Sequence, residues 1–429
     1  MVRIRIDKSR ISGVLRCPPS KSYTHRAIAI ASLAEGESRI KMPLIARDTL
    51  ATISASTAMG VSIDRQRSGL IIKGKHILNT PSNIINAENS GTTIRIFAVM
   101  AALASTGFTI LTGDASLRKR PMQPALDALG QLGVVCYSSR MNGLAPLLIK
   151  GGGIQGGSVI INGNMSSQFL SSLLISTIYA KSPVSIHVKG QQVSKPYVDS
   201  TLATMKAFGV AIDNKRDFLE YRIKNKEYKA AEFNVPADFS TAAMILAAGV
   251  LAGGGITIRG LNFLLPQADS KILDILNDMD AQVCVNRTRG EVKVTGSSLL
   301  KGGSFDLTDS PDLLPVLSIL ALKARTPVEI SGIAHARLKE TDRVSNIASQ
   351  LKKFGATVIE QQDQLLIIAP KVPRNSRIQT FNDHRLFMAF TIASLLTEKT
   401  EVEGAESIDV SYPGFLQDLA QLGAKISFL

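Results

Sequence analysis

Two local patterns alternate along this chain six times, and that regularity confines it to a repeated architecture. The first is a helical stretch that ends in glycine and runs into a strand. It recurs as SASTAMGVSID around Gly60, DALGQLGVVCY around Gly133, ATMKAFGVAID around Gly209, SQLKKFGATVI around Gly355 and QDLAQLGAKIS around Gly423. In the remaining copy, ILNDMDAQVCV, Asp280 stands where the others have glycine. Glycine suits the position just past a helix end because it enters the left-handed region without a Cβ penalty, and the apolar alternation after it reads as a strand. The second pattern is a small polar or acidic opening followed by a strongly apolar helix. These openings begin at Ser20, Ser90, Ser166, Asp238, Ser310 and Asn382, so the unit is roughly 70 residues long.

Helices that are apolar nearly all round belong inside a core, whereas amphipathic ones cover an outside. The two patterns therefore predict an α/β protein with central helices and surrounding sheets. A chain of 429 residues is too long for one compact core. Three units plus three is the economical division, with a crossing in the polar stretch from Asn225 to Pro236.

Composition narrows the partners. Apolar residues make up 45% and charged ones 20%, which suits a globular fold and excludes general disorder. The stretch from Phe239 to Ile258 is uncharged and nominally long enough to span a bilayer, but Gly253, Gly254 and Gly255 break it, so it reads as a buried helix plus a turn. No membrane association is expected. The N-terminal MVRIRIDKSR lacks a secretory apolar core, which points to a cytoplasmic protein. Cys17, Cys136 and Cys284 are too far apart for a disulfide framework or a metal knuckle, and the five histidines are too scattered for a metal site. The formal charge of +14 attracts anions. Single-stranded nucleic acid would require aromatic platforms, yet aromatics are 5% and tryptophan is absent, so small phosphorylated or carboxylated metabolites are the better match and no nucleic acid is expected. GGGIQG, from Gly151, imitates a dinucleotide fingerprint, but a strand pattern follows it where a helix should start, and it reads as a turn.

Cations gather where helices begin, which is electrostatically the wrong end. A helix N-terminus carries about half a positive charge and prefers carboxylates. Lys21, Arg26, Arg95 and Arg385 nonetheless sit within the first turns of the apolar helices. A bound anion reverses the penalty, because free backbone N–H groups and cations then converge on it. Ser166, Ser167 and Gln168 offer more short donors than a cap requires, and Ser194 with Lys195 adds another pair before a proline. In LKETDR, Lys339 and Arg343 share a face if the helix has already begun, with Glu340 alongside and Asp342 as an internal partner. Asp312 follows Pro311 in a first turn, where a carboxylate also suits the helix dipole, and Arg118, Lys119 and Arg120 form a run that would ordinarily be solvated.

PSKSYTHR, NSGTTIR, LTGDASLRKRPMQPALDAL, GNMSSQFLSSLL, VSKPYVDS, SPDLLPVLSILA, LKETDR and FNDHR occur in the order and spacing of the enolpyruvyl transferase family, whose shikimate-pathway branch the whole chain resembles. The resemblance implies two inside-out α/β barrel lobes of three βαβαββ repeats each: residues 17–236 as one, 1–16 with 237–429 as the other, with hinges near 14–20 and 230–240. It implies transfer of the enolpyruvyl group of phosphoenolpyruvate to the 5-hydroxyl of shikimate 3-phosphate in aromatic amino acid biosynthesis, by a monomer, without metal or organic cofactor. Lys21, Ser22, Arg26, Ser166, Ser167, Gln168, Ser194, Asp312, His335 and Lys339 would then contact shikimate 3-phosphate. Lys21, Asn89, Gly91, Arg120, Gln168, Arg343 and Arg385 would hold phosphoenolpyruvate. Asp312 would take the proton of the attacking hydroxyl, Glu340 would exchange one with the methylene carbon, and Lys21 and His384 would assist. Two positions depart from many bacterial relatives: His335 replaces an asparagine and Val410 a lysine. Two rival readings are a transferase acting on UDP-N-acetylglucosamine, which carries a reactive cysteine in the loop corresponding to 114–120 where this chain has none, and a basic RNA-end or phosphate-binding protein on related repeats.

Overall fold

Every apolar opening becomes a helix that is almost wholly buried. The computed structural model describes residues 2–212, 214–215, 218–296 and 299–429. Among them, twelve α-helices follow one another as α1 (Lys21–Leu33), α2 (Arg47–Ala58), α3 (Gly91–Met100), α4 (Gln123–Gln131), α5 (Ser167–Ser176), α6 (Lys195–Ala207), α7 (Phe239–Ala252), α8 (Ile272–Asp278), α9 (Leu314–Leu320), α10 (Arg343–Lys353), α11 (His384–Ser394) and α12 (Phe415–Gln421). The odd-numbered helices are the apolar ones and the even-numbered are amphipathic: Thr241 to Leu251 of α7 are all buried, whereas α10 buries Val344, Ile347, Ala348 and Leu351 on one face. The membrane-length stretch is therefore interior, and no helix among the described residues is long and apolar enough to cross a membrane.

The glycines end the amphipathic helices as the pattern requires. Gly60, Gly133, Gly209, Gly355 and Gly423 all have positive φ, and Asp280 adopts φ 58° in the sixth copy. One reading of the glycines differs. Gly253, Gly254 and Gly255 are not a turn after α7 but the first residues of the strand Gly253–Arg259, which pairs with Ile11–Arg16 through a register shift between Gly253 and Gly255. Small residues let the strand leave the helix end without a connecting loop.

Six four-stranded sheets share one plan, a parallel pair extended by two antiparallel strands. In four of them the buried helix joins the two parallel strands, as α5 joins Gly157–Asn162 to Val184–Lys189. The other two exchange partners. The strand Ile11–Arg16 precedes α1, yet it pairs with Gly253–Arg259 after α7, while Glu232–Asn234 precedes α7 and pairs with Gly36–Lys41 after α1. The chain accordingly divides into two compact units, Pro19–Pro236 and Met1–Pro18 with Ala237–Leu429. Each holds three sheets and six helices, an inside-out α/β barrel of three βαβαββ repeats with the odd helices at its centre. Within the contiguous unit Ser20 N–H donates to Pro236 O at 2.7 Å, and within the other Asp238 N–H donates to Pro18 O at 2.8 Å.

Candidate active site

Each unit carries its own group of candidate site residues at the starts of its central helices. In the contiguous unit, Ser20, Ser90 and Ser166 cap α1, α3 and α5 by accepting from Tyr23, Thr93 and Gln168 N–H. Lys21 is the first residue of α1, and its ammonium lies 2.9 Å from Asp48 of α2. His25, one turn on, is fully buried, and burial together with Lys21 and Arg26 pushes its pKa well below the ordinary value, so it is neutral. Its Nδ1 lies 2.6 Å from Thr52 Oγ1.

Arg26 is 2% exposed and is held on all sides. Nε donates to Thr201 Oγ1 at 2.8 Å, and the two Nη atoms donate to the Ser22 and Tyr197 carbonyls at 3.0 Å. Burial lowers its pKa to about 10, which leaves it charged at neutral pH. The structure thus ties Arg26 to the start of α6, where Ser194 occupies the left-handed region at φ 58° and makes no capping bond. A serine held there, and buried, is a local strain of the kind found at binding sites. Lys195 lies 5.7 Å from the Phe218 ring centroid.

A second group surrounds the start of α3. Arg118 and Lys119 are exposed, but Arg120 is buried and is not part of a solvated run: Nη2 donates to Asn89 Oδ1 at 2.9 Å and to Ser116 Oγ at 3.3 Å. Arg95 donates to Gln168 Oε1 and stacks over Phe169 at 5.0 Å, while Gln168 donates to Thr92 Oγ1 at 2.9 Å. Gly91 is wedged between these groups. A Cβ there would stand 3.0 Å from Arg120 Nη1 and 3.4 Å from Arg95 Nη1, crowding the first guanidinium and touching the second. Asn89, Gly91, Arg120 and Gln168 are brought together; Ser166, Ser167, Ser194, Arg26 and Ser22 lie around α1, α5 and α6, three helices linked by Thr201, which accepts from Arg26 and donates to Ser171, each at 2.8 Å.

In the other unit one carboxylate sits among three cations. Asp312 lies 2.8 Å from Arg385, 2.9 Å from Arg343 and 3.6 Å from Lys339. Burial alone would raise its pKa, but Arg385, Lys339 and Arg343 outweigh that and hold the carboxyl well below its usual range. Glu340 pairs with Arg343 at 2.5 Å. The expected Lys339–Arg343 helix face is corrected by the structure: α10 begins only at Arg343, and Lys339 and Glu340 lie in the preceding turn, following Ala334–Leu338. Asp342 caps α10 and pairs with Arg337 instead of serving this group.

His335 is buried, and desolvation with nearby Lys339 lowers its pKa to about 4. His384 is the first residue of α11, beside Arg385 and equally buried. Val410 ends a buried turn, Ala405–Val410. Besides Asp48, pattern reading missed two acidic residues. Asp383, not Asn382, caps α11, and it also receives Arg343 Nε at 2.8 Å. Asp269, 2% exposed, accepts from Ser240 Oγ, and its pKa is raised to about 7 by burial and by Asp312. Asp383 could have been found as the only acidic residue before the apolar run of α11; Asp269 has no signal, since its neutralising and opposing neighbours come from distant segments. Among the described residues no group of three or more His, Cys, Asp or Glu side chains is placed to hold a metal.

The arrangement suits an enzyme that holds anions and moves protons, and its fold is that of the enolpyruvyl transferases. An EPSP synthase from Acinetobacter baumannii superposes with a TM-score of 0.83 at 25% identity over 100% of both chains. The enolpyruvyl transferase NikO from Streptomyces tendae does so at 0.80 and 16% identity, over 100% of this chain and 99% of that one. The sequence profile described as "EPSP synthase (3-phosphoshikimate 1-carboxyvinyltransferase)" matches residues 6–419. A 3-phosphoshikimate 1-carboxyvinyltransferase of Nitrosopumilus maritimus is 45% identical over 99% of both chains. This chain belongs to the EPSP synthase family.

Proposed function

We propose that the chain transfers the carboxyvinyl group of phosphoenolpyruvate to the 5-hydroxyl of shikimate 3-phosphate and releases phosphate, a step of aromatic amino acid biosynthesis. Family membership over nearly the whole length supports the reaction. The observation that supports the assignment of residues is Asp312, a carboxylate kept ionised by three cations yet still partly open to solvent.

In this reading Arg26, Ser22, Ser166, Ser167, Ser194, His335 and Lys339 bind shikimate 3-phosphate. Asn89, Gly91, Arg120, Arg343 and Arg385 bind phosphoenolpyruvate, and Lys21 and Gln168 contact both. Guanidinium forks match its phosphate and carboxylate oxygens. Glu340 delivers a proton to the enol carbon and the hydroxyl attacks while Asp312 accepts its proton; the tetrahedral adduct then expels phosphate as Glu340 takes a methyl proton back, which restores the double bond. The cations stabilise the charge on the leaving group, Lys21 among them, and His384 assists the proton transfers. When phosphoenolpyruvate engages Arg343 and Arg385, their hold on Asp312 loosens and its basicity rises toward what the reaction requires. The enzyme works as a cytoplasmic monomer and needs no cofactor. The contiguous unit contributes most of the shikimate 3-phosphate contacts.

The test is a phosphate-release assay with both substrates and with each omitted in turn. Release only with both supports the reading. Release with UDP-N-acetylglucosamine in place of shikimate 3-phosphate, or tight, steeply salt-dependent RNA binding without any release, overturns it.

A further inference from the structure

The three carboxylates around Arg343 are not equivalent. Asp312 and Glu340 keep 16% and 14% of their side chains exposed, while Asp383 keeps none and the Arg343 side chain only 1%. Asp383 takes the inner edge of the guanidinium: Nε donates to Oδ2 at 2.8 Å and Nη2 to Oδ1 at 3.2 Å. The remaining contacts leave the outer edge, Nη2 to Glu340 at 2.5 Å and Nη1 to Asp312 at 2.9 Å. A guanidinium is planar, so two bonds on one edge fix where the others point.

Asp383 has a second connection. Its Oδ1 also accepts from Arg385 N–H at 2.9 Å and Leu386 N–H at 3.4 Å, capping α11, and the side chain of that same Arg385 reaches Asp312 Oδ2 at 2.8 Å. Thr341 Oγ1 donates to its Oδ2 at 3.4 Å. One inaccessible carboxylate thus anchors the start of α10 directly and the start of α11 through its cap. Capping alone does not account for it, since asparagine caps a helix as well as aspartate does. The fork onto Arg343 requires two acceptor oxygens and a negative charge to balance a cation that is almost completely buried.

We infer that Asp383 is a positioning residue of the reaction: it never meets substrate, but it orients the outer edge of Arg343, and the cap it gives α11 sets Arg385, so that both guanidiniums present N–H groups to phosphoenolpyruvate. This rests on the functional reading above, in which Arg343 and Arg385 bind that substrate. The inner edge stays with Asp383 throughout, and the two outer contacts, to Asp312 and Glu340, are the ones that the substrate's anionic oxygens displace. The division of labour follows burial: the carboxylate that cannot be reached holds, and the two that can be reached react.

The experiment uses the full-length enzyme and the variants Asp383→Asn and Asp383→Ser, both of which retain a capping oxygen, each also placed in an Arg343→Lys background. Lysine keeps a charge but has no fork to orient. Steady-state phosphate release gives kcat and the two KM values, and thermal melting reports the fold. Losing one partner of a buried charge pair is expected to raise the KM for phosphoenolpyruvate about tenfold or more, against about twofold or less for shikimate 3-phosphate. In the Arg343→Lys background the same substitutions should add about twofold or less, because the residue they act through is gone. An unchanged KM for phosphoenolpyruvate, equal increases for both substrates tracking a fall in Tm, or the full effect persisting without Arg343 overturns the inference. Should Asp383→Ser fail to fold, Asp383→Asn alone decides by the same criteria. Absence of two-substrate phosphate release from the unaltered enzyme is a separate result that overturns the functional reading instead.

Discussion

Asp312, partly open to solvent, and Asp269, buried, are two aspartates of one unit whose surroundings drive them in opposite directions. Asp312 has three cations within 4 Å and stays ionised, and replacing it by asparagine should keep the fold and lower turnover by about 10²–10⁴-fold, measured as kcat for phosphate release. Asp269 is burdened by burial and by Asp312, and its pKa stands at about 7 against an ordinary 3.8. A carboxyl with a raised folded-state pKa binds its proton more tightly when folded, so its contribution is intact below the ordinary value and is lost as pH climbs through about 7. Asp269→Asn should therefore melt at a higher temperature than the unaltered protein at pH 8, and the difference should fade toward pH 4; a difference that ignores pH would show that ionisation of Asp269 is not its source. Gly91→Ala pushes only on the end of the Arg120 side chain, so its Tm should hold while the KM for phosphoenolpyruvate rises several-fold, as steady-state kinetics would record. The legible part of the site was its cations: lysines and arginines at helix starts violate dipole preference and stand out in a sequence. Of the acids that hold them, Asp48 was not legible, because aspartate is ordinary in the first turn of a helix, and Asp383 was overlooked beside Asn382.

At the scale of elements, the helix-then-strand pattern could be read because each copy must terminate the same way. The five glycines with positive φ do so freely, and Asp280 shows that an aspartate can be forced into the same role. Gly355→Ala should cost about 1–2 kcal/mol by chemical denaturation, since φ is +93° and the added Cβ would lie 3.3 Å from Arg374 Nε. Asp280→Gly should do the reverse and gain up to about 1 kcal/mol, because the exposed pair it forms with Arg325 contributes little. Boundaries were less legible than elements. Lys339 and Glu340 fall outside α10 because Asp342 caps it, a choice among three adjacent polar residues that spacing does not make. The continuation of α7 directly into a strand depends on three successive glycines, which ordinarily announce a turn.

For the whole molecule, the surplus of positive charge acts at a distance. Both proposed substrates are multiply anionic, so their KM values should rise several-fold between low and physiological ionic strength, with kcat changing less; kinetics across a salt series would show it, and flat KM values would mean that the charge serves something else. The division into two units follows repeat counting, but the exchange of first strands between two repeats could not be seen in any one of them, since every copy carries the same strand, helix, strand signature. That exchange bears on how the protein comes off the ribosome. The unit Pro19–Pro236 is contiguous and so is complete before any of Ala237–Leu429 has been synthesised, its last strand already beside Gly36–Lys41. The strand Arg3–Asp7 precedes that unit in the chain, yet the strands it pairs with, Lys399–Glu403 and Lys425–Phe428, follow it. Pro19–Pro236 can therefore fold while the nascent chain is still growing, whereas Arg3–Asp7 has to stay available across the synthesis of that whole unit until its partner strands emerge.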